Sequence, residues 1–330
     1  MTLNTASVRS AGINSRNSYL DILEAAWQDH LAPREPNAPT VISTFAGAGG
    51  SSLGYSMAGY RELLAVEWDD NAVATFKLNF PDVPVYHGDI ARLSVEDVLR
   101  LTGLRPGELD VFDGSPPCQG FSTAGKRQLD DPRNQLFREY VRLLRGLRPR
   151  VFVMENVSGM VKGKMKLVFA EILRELKASD YKVSARLMNA MYFNVPQSRE
   201  RMIFIGVRED VGQEPSHPKA EAQVRCALCA VHDVNDTLNP YGPRNFNQAS
   251  RYLRHHEPAP TITKSDVPGS DLPFAGRTRI GDRRAAVISS FPLSFVFAGE
   301  WRDAINRIGN SVPPLFMRSI AAHIRQHILT

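Results

Sequence analysis

The sequence predicts an α/β protein with a doubly wound parallel sheet and a small irregular domain late in the chain. Short apolar segments alternate regularly with segments of helical periodicity between residues 40 and 208. After residue 208 this alternation gives way to Pro, Gly and polar residues until about residue 281. We therefore divide the chain into an N-terminal extension (1–39), the main α/β domain (40–208), the irregular domain (209–281) and a return to the main domain (282–330).

The composition is that of an ordinary globular protein, with 43% hydrophobic and 23% charged residues among 330. These values exclude disordered, collagen-like and coiled-coil classes. No run of about 18 apolar residues exists, so no transmembrane helix is expected. The first residues lack the apolar core of a signal peptide, and 3 Cys are too few for a disulfide framework. The expected location is therefore a reducing cytoplasm.

The individual elements follow from local periodicity and from helix or turn signals. The first is an amphipathic helix at Tyr19–Leu31, followed by a Pro-rich link. Strands are expected at 40–45, 62–67, 109–113, 150–155, 182–188 and 202–207, with one more just before Asp89. Helices are expected at 53–57, 71–79, 134–147, 166–179 and 314–328. The last two strands are joined by residues 189–201, which favour a hairpin over a crossover.

A glycine-rich turn, Phe-Ala-Gly-Ala-Gly-Gly (45–50), connects the first strand to a helix. Gly47 and Gly49 let the backbone approach a ligand, and the N–H groups at the helix start suit a carboxylate or phosphate. Glu67 lies 20 residues beyond Gly47, where a strand-end carboxylate can hold ribose hydroxyls, and Asp89 ends the third strand. The pattern therefore favours a nucleoside-containing ligand, with a tight turn beside surface acids as the alternative.

Two candidate catalytic residues follow neighbouring strands. Cys118 comes after a strand end and two prolines that fix the backbone, which is the placement of a presented nucleophile. Because the thiolate is the attacking form, such a site must lower the pKa of the thiol or remove its proton. Glu155 ends a strand 37 residues later, one β-α-β unit away, so both side chains should reach the same sheet edge. A core cysteine and a solvated glutamate are the alternatives.

Basic residues mark two further regions. Arg199 and Arg201 alternate at the start of an extended strand, where both guanidiniums should lie on one side and donate to a carbonyl or phosphate. A salt-bridged strand edge is the alternative there. Residues 241–290 hold eight basic and four acidic residues, and so most of the net charge of +5. This excess indicates a polyanionic partner, with a solvated basic face as the alternative.

Five motifs, in this order, resemble those of the bacterial DNA (cytosine-5)-methyltransferase family. They are Phe-Ala-Gly-x-Gly-Gly, Pro-Pro-Cys-Gln-Gly-Phe-Ser, Glu-Asn-Val, Gln-x-Arg-x-Arg and Gly-Asn-Ser-Val-Pro (309–313). The resemblance implies a Rossmann-like methyltransferase sheet with a small irregular target recognition domain. It implies an enzyme that methylates carbon 5 of cytosine in a specific duplex DNA sequence. The implied cofactor is S-adenosyl-L-methionine, and the implied product is S-adenosyl-L-homocysteine.

The resemblance also implies a role for individual residues. Cys118 would add to a flipped-out cytosine, Glu155 would hold its nitrogen 3, and Arg201 with Arg199 would meet its carbonyl. The implied cofactor contacts are Phe45, Ala46, Gly47, Gly49, Glu67, Trp68, Asp89, Ile90, Pro117, Asn310 and Val312. The implied DNA contacts are Gln119, Ser122, Lys126 and Arg127, in or beside a loop (122–134) that closes on DNA, and Arg244, Arg251 and Arg254.

Two other functions stay open at this point. One is an RNA (tRNA) cytosine-5 methyltransferase, although such enzymes usually carry a Cys-Phe-Thr segment that Cys226-Ala-Leu does not match. The other is a catalytically silent DNA-binding regulator, which would not need Cys118, Glu155 and Arg201 together.

The remaining expectations concern metals and partners. Cys226, Cys229 and His232 lack a fourth ligand at convincing spacing, so we expect an apolar packing strip and no metal. The expected partners are duplex DNA and, as a genetic partner, a cognate restriction endonuclease, with no membrane. We expect a monomer that associates with the nucleoid in a bacterial cytoplasm.

Overall fold

The computed structural model describes residues 18–117, 132–161, 165–221, 223–232, 234, 252–253, 256–264, 269–270 and 282–330. The strands are β1 (Thr40–Thr44), β2 (Arg61–Glu67), β3 (Val85–His87), β4 (Val111–Gly114), β5 (Val151–Val157), β6 (Tyr181–Asn189), β7 (Glu200–Arg208), β8 (Tyr252–Leu253) and β9 (Gly269–Ser270). The helices are α1 (Tyr19–Leu31), α2 (Gly50–Met57), α3 (Asp70–Asn79), α4 (Val95–Thr102), α5 (Pro132–Leu147), α6 (Met165–Lys177), α7 (Ala227–Ala230), α8 (Asp282–Ile288), α9 (Trp301–Asn310) and α10 (Pro314–His327).

The main sheet has seven strands in the order β3-β2-β1-β4-β5-β7-β6. β1 to β5 pair in parallel, whereas β7 runs antiparallel to both β5 and β6. The predicted α/β fold class and the predicted hairpin between the last two strands of this sheet are therefore confirmed. Because β7 runs in the reverse direction, its first residues lie at the edge where the parallel strands end.

Both faces of the sheet are covered, which explains why its central strands read as continuous apolar runs. All five residues of β1 are buried. Successive side chains of β1 enter different cores, because strand side chains alternate between the two faces. Val41 joins the core that contains α2 and α10, and Ile42 joins the core that contains α5 and α6.

The predicted helix at Tyr19–Leu31 is present with those bounds and packs into the first core. Its Tyr19 hydroxyl donates to the carbonyl oxygen of Asn194 over 3.1 Å. Near its end, the two ring nitrogens of His30 lie 2.7 Å from Ser56 Oγ and 3.2 Å from the carbonyl oxygen of Asn79. Burial lowers the pKa of His30 to about 4, so the ring is neutral near pH 7.

Four helices, α4, α7, α8 and α9, are absent from the sequence prediction. In α4 and α9 the apolar residues follow helical spacing, but these helices are only 8 and 10 residues long; capping signals were also present. Ser94 caps α4 by accepting the N–H of Asp97 over 3.0 Å, and Gly103 ends α4 with a left-handed φ of 72°. Glu300 and Asp303 form a capping box at the start of α9.

The described part of region 209–281 contains only short elements: a 3₁₀ turn at Glu209–Val211, α7, β8 and β9. The N–H of Ala227 donates to the carbonyl oxygen of Glu257 over 2.9 Å. Cys226 and Cys229 form a disulfide, which the sequence analysis did not anticipate. Within the described ranges, no group of three or more His, Cys, Asp or Glu residues could hold a metal ion. No helix in those ranges is long and apolar enough to cross a membrane.

Candidate active site

The ends of β4 and β5 and the start of β7 form one edge of the sheet. Val157, the last residue of β5, pairs with Arg201, and Glu155 pairs with Ile203. In an open α/β sheet this carboxyl edge is where ligands bind. The polar side chains at this edge are therefore the candidates for chemistry.

Glu155 and Arg201 form an ion pair at this edge. Arg201 Nε lies 2.6 Å from Glu155 Oε1, and the two side chains are only 13% and 11% exposed. A second guanidinium nitrogen, Nη1, donates to the carbonyl oxygen of Glu200 over 2.8 Å. Two residues that the sequence placed 46 positions apart are thus held in one geometry. Each side chain orients the other through this short contact. Removing one partner would leave the other as a buried charge without compensation.

Asn156 connects the end of β5 to the loop that precedes Cys118. Its side-chain Nδ2 donates to the carbonyl oxygen of Pro116 over 3.0 Å, and its Oδ1 accepts the N–H of Val157 over 2.8 Å. Asn156 is buried. The contact holds the Pro-Pro backbone beside the Glu155 strand. Sequence analysis missed this role, although a buried amide at a strand end was a possible signal.

Arg199 does not share the environment of Arg201. Its side chain is buried, and its Nη1 and Nη2 donate to the carbonyl oxygens of Ile262 (2.9 Å) and Gly309 (2.8 Å). Burial, reinforced by the positive charge of Arg201, lowers the pKa of Arg199 to about 9, and Glu155 opposes that shift. The two guanidiniums are close enough for their charges to interact, but backbone carbonyls hold Arg199 whereas Glu155 holds Arg201. A contact of Arg199 with the cytosine carbonyl stays a prediction.

A cleft lies at the ends of β1 and β4. It encloses about 370 Å³, counted with its open mouth. The residues that line it are Phe45, Ala46, Gly47, Ala48, Gly50, Ser51, Ser115, Arg307, Asn310, Ser311 and Val312. Five predicted cofactor residues, namely Phe45, Ala46, Gly47, Asn310 and Val312, are thus brought together.

The start of α2 gives the cleft its polarity. Gly47 has a left-handed φ of +56°, and a Cβ at this position would meet no atom within 4 Å. The N-cap residue of α2 is Gly49, which offers no side-chain acceptor, and the first turn holds no acidic residue. The first N–H groups of the helix therefore remain available to an anionic or polar ligand.

Glu67 organises the neighbouring edge. Its Oε2 accepts the N–H of Gly47 over 2.7 Å, and its Oε1 accepts those of Trp68 (2.8 Å) and Asp69 (3.0 Å). The indole of Trp68 beside it is 77% exposed. Asp89 is exposed after β3 and caps the 3₁₀ turn Ile90–Arg92 by accepting the N–H of Ala91. Three predicted cofactor residues, Glu67, Trp68 and Asp89, thus lie at or just after the ends of the adjacent strands β2 and β3.

Three other predicted cofactor residues have different surroundings. A Cβ at Gly49 would lie 2.5 Å from Phe80 Cε2, so close packing requires this glycine. Ile90 is 4% exposed and belongs to the second core. Pro117 is exposed after β4. Their cofactor contacts stay predictions. The expected nucleophile and DNA contacts, namely Cys118, Gln119, Ser122, Lys126, Arg127, Arg244, Arg251 and Arg254, lie outside the described residues.

The polar layer beneath the cleft carries two buried carboxyl groups. Glu62 accepts a hydrogen bond from Ser52 over 2.9 Å, and burial raises the pKa of Glu62 to about 7. Asp113 accepts from the hydroxyl of Tyr55 over 3.2 Å. Burial raises the pKa of Asp113 well above its usual range, and the nearby negative charge of Glu62 adds to the effect.

An open α/β sheet of this order, with a nucleoside-type cleft beside a buried acid–guanidinium pair, defines a Rossmann-like methyltransferase. The family described as C-5 cytosine-specific DNA methylase matches residues 39–274. The type II methyltransferase M1.HphI of Haemophilus parahaemolyticus is 34% identical over 320 residues, which cover 86% of this chain and 85% of that protein. The chain belongs to the C-5 cytosine-specific DNA methylase family and is a DNA (cytosine-5-)-methyltransferase.

Other relatives agree with this assignment. The type II methyltransferase M.NgoPII of Neisseria gonorrhoeae is 32% identical over 342 residues, which cover 89% of this chain and 98% of that protein. A prophage-encoded E. coli protein, classed among DNA modification methyltransferases, superposes with a TM-score of 0.74. That structure is 23% identical and covers 89% of this chain and 100% of its own, so it shows the shared fold. The family reaction uses S-adenosyl-L-methionine and a covalent cysteine adduct on a flipped-out base.

Proposed function

We propose that this chain methylates one cytosine within a short duplex DNA sequence, with Cys118 as the nucleophile, Glu155 at nitrogen 3 and Arg201 at the carbonyl oxygen. The observation that carries this assignment is the buried ion pair of Glu155 and Arg201, at 2.6 Å. It stands beside the loop that leads into Cys118. The contact between Asn156 and Pro116 supports that placement.

The residue types suit the electron flow of the reaction. Carbon 5 of cytosine is a weak nucleophile until a thiolate adds to carbon 6, which sends negative charge toward nitrogen 3 and the carbonyl oxygen. Glu155 would share a proton with nitrogen 3, and Arg201 would donate N–H groups to the oxygen. Because each side chain fixes the other, both would meet the developing charge without first having to reorganise. The target base must leave the stack to reach them.

The cleft at the start of α2 fits S-adenosyl-L-methionine. The open Cβ direction of Gly47 leaves room for a ligand close to the backbone, and the uncapped N–H groups of α2 suit its amino-acid end. Glu67 can accept a ribose hydroxyl at Oε2, because each carboxylate oxygen has two lone pairs and Oε2 accepts only the N–H of Gly47. The exposed ring of Trp68 offers a stacking face for adenine. When bound, this cofactor supplies an electrophilic methyl group.

The DNA-contacting residues complete the proposal. Loop 122–134 and region 209–281 would face each other across a basic cleft that holds the duplex. Contacts would come from Gln119, Ser122, Lys126, Arg127, Arg244, Arg251 and Arg254. The enzyme would act as a monomer near the nucleoid of a bacterial cytoplasm, with a cognate restriction endonuclease as its genetic partner.

A covalent trapping experiment tests the assignment of the nucleophile. The wild type and Cys118→Ser are incubated with S-adenosyl-L-methionine and duplex DNA that contains 5-fluorocytosine, and adducts are resolved on denaturing gels. We expect an adduct for the wild type and none for Cys118→Ser, since an alkoxide is far harder to generate than a thiolate. Appreciable turnover by Cys118→Ser would remove Cys118 from this role.

A methyl-transfer assay distinguishes a DNA substrate from an RNA substrate. Methyl transfer is measured on genomic duplex DNA and on tRNA, with Cys118→Ser as the inactive control. We expect transfer to DNA alone, and transfer to tRNA alone would overturn the proposed substrate. Bisulfite sequencing of DNA from cells that express the protein then gives the recognition sequence.

A further inference from the structure

Arg307 is a buried cation in the wall of the cofactor cleft that the sequence motifs did not single out. It lies on α9, one turn before Asn310, and its side chain is 13% exposed. Two of its nitrogens bind one carboxylate, with Nη1 2.9 Å from Asp69 Oδ1 and Nη2 3.3 Å from Asp69 Oδ2. Asp69 also caps α3 by accepting the N–H of Ala72 over 2.9 Å. The guanidinium is therefore held in a fixed orientation.

The third nitrogen of this guanidinium has no such contact. Arg307 Nε is buried and lacks a hydrogen-bond partner within the described ranges. A buried donor on a charged group is destabilising when it stays unsatisfied, so such atoms usually have an acceptor in the functional state. The same side chain lines the cleft with Gly47 and Asn310. A ligand in that cleft is thus a ready source of the acceptor.

The surroundings of Arg307 favour an anionic acceptor. The cleft holds both a guanidinium and the uncapped N-terminus of α2, whose first turn carries no acidic side chain. Both features attract negative charge. In S-adenosyl-L-methionine the negatively charged group is the carboxylate of the amino-acid end. A carboxylate can accept from Nε and from backbone N–H groups at once.

We propose that Arg307 is a cofactor-binding residue whose Nε–H donates to this carboxylate, while Asp69 holds its other two nitrogens. This inference rests on the proposed placement of the cofactor in the cleft. Arg307 would then read the amino-acid end of the ligand and Glu67 its ribose. The alternative is that Arg307 only braces α9 against α3 through Asp69.

Two ligands that differ by one group separate these roles. S-adenosyl-L-homocysteine carries the carboxylate, whereas S-adenosyl-3-thiopropylamine keeps the amine and lacks the carboxylate. Dissociation constants for both are measured by calorimetry with the wild type, Arg307→Gln and Arg307→Met. Arg302→Gln, at an exposed position on the same helix α9, is the matched control. Thermal unfolding shows whether each variant is folded.

We expect the wild type to bind S-adenosyl-L-homocysteine about 10-fold or more tighter than the amine, the scale of a charge-assisted hydrogen bond. In both Arg307 variants this ratio should fall to within about 3-fold, whereas Arg302→Gln should keep it. A bracing role would weaken both ligands equally and leave the ratio intact, which would overturn the proposal. A wild type that binds neither ligand would instead overturn the proposed cofactor site.

Discussion

Asn156 donates its side-chain Nδ2 to the carbonyl oxygen of Pro116 across 3.0 Å. This bond joins the strand that carries Glu155 to the loop that carries the proposed nucleophile. The other polar atom of this side chain, Oδ1, accepts the N–H of Val157 over 2.8 Å. The spacing between acid and thiol therefore depends on a residue that does no chemistry itself.

Asn156→Ala should lower the rate of methyl transfer by roughly 10- to 100-fold, because small errors in placement are costly when two groups must act together. Affinity for S-adenosyl-L-homocysteine should stay within about 2-fold, since Asn156 does not line the cofactor cleft. Single-turnover kinetics and calorimetry measure both quantities. The control is Asn37→Ala, at an exposed position in the link before β1. Trapping of 5-fluorocytosine DNA at the wild-type rate would contradict the positioning role.

Glu155→Gln should reduce turnover by about 10²–10⁴, the usual contribution of a positioned acid or base. Cofactor affinity should change little, because the carboxyl acts on charge that develops at nitrogen 3. Steady-state kinetics and calorimetry with S-adenosyl-L-homocysteine check this, with exposed Glu200→Gln as the control. A large loss of cofactor affinity with normal turnover would assign Glu155 to the cofactor site instead.

Arg199→Lys should destabilise the fold by about 2 kcal/mol, because one ammonium cannot replace two guanidinium hydrogen bonds to the buried carbonyls of Ile262 and Gly309. Affinity for S-adenosyl-L-homocysteine should also fall, since Gly309 directly precedes Asn310 in the cleft wall. Urea unfolding and calorimetry measure these effects, with exposed Arg61→Lys as the control. Normal stability and cofactor binding combined with lost turnover would restore a direct role at the cytosine carbonyl.

Glu67→Ala should weaken cofactor binding by about 1–3 kcal/mol, the cost of losing a charge-assisted acceptor. The loss has two sources, because Glu67 would bind ribose and also holds the N–H of Gly47 at the cleft floor. Glu67→Gln should recover part of the affinity, since its Oε1 can still accept from Trp68 and Asp69. Asp70→Ala, whose side chain is 96% exposed, is the control. Unchanged affinity in Glu67→Ala would place the cofactor elsewhere.

Stability should fall in acid because of His30. Its pKa is lowered to about 4 in the folded state by burial, so the unfolded chain binds a proton more readily. The unfolding free energy should therefore decrease as the pH falls from about 6.5 to 4, by about 1–2 kcal/mol after allowing for partial exposure. Urea unfolding of His30→Gln across this range should show a flatter profile. An identical profile for both proteins would mean that His30 does not control this loss.

The sequence predicted the fold well where one strong signal sufficed. The central strands are apolar on both faces, so their existence was clear, and the short link between β6 and β7 predicted their hairpin. The position of β7 between β5 and β6 could not be predicted, because strand order depends on which faces pack together. The helices α4 and α9 were missed although their apolar spacing and their caps indicate them, because helices of 8 and 10 residues give only two or three turns of that pattern.

The site shows a similar division. Cys118, Glu155 and Arg201 stand in motifs, so a sequence can indicate them, and the structure brings Glu155 and Arg201 together. Asn156 and Arg307 act through partners 40 and 238 positions away, and no local pattern announces such contacts. The two carbonyls that hold Arg199 belong to Ile262 and Gly309, which are distant in the sequence, so its motif could not indicate them. Each miss concerns a contact set by tertiary structure.

The hydrogen bond between Ala227 and Glu257 brings two points that are 30 positions apart in the sequence next to each other, close to the core that Ala230, Val231 and Val234 join. A segment with its two ends pinned together can be lengthened, shortened or exchanged at little entropic cost to the rest of the chain. A change in the residues that follow Val234 would leave the acid–guanidinium pair and the lining of the cleft unaltered. Evolution could therefore revise the region that we propose to read DNA while it keeps the chemistry.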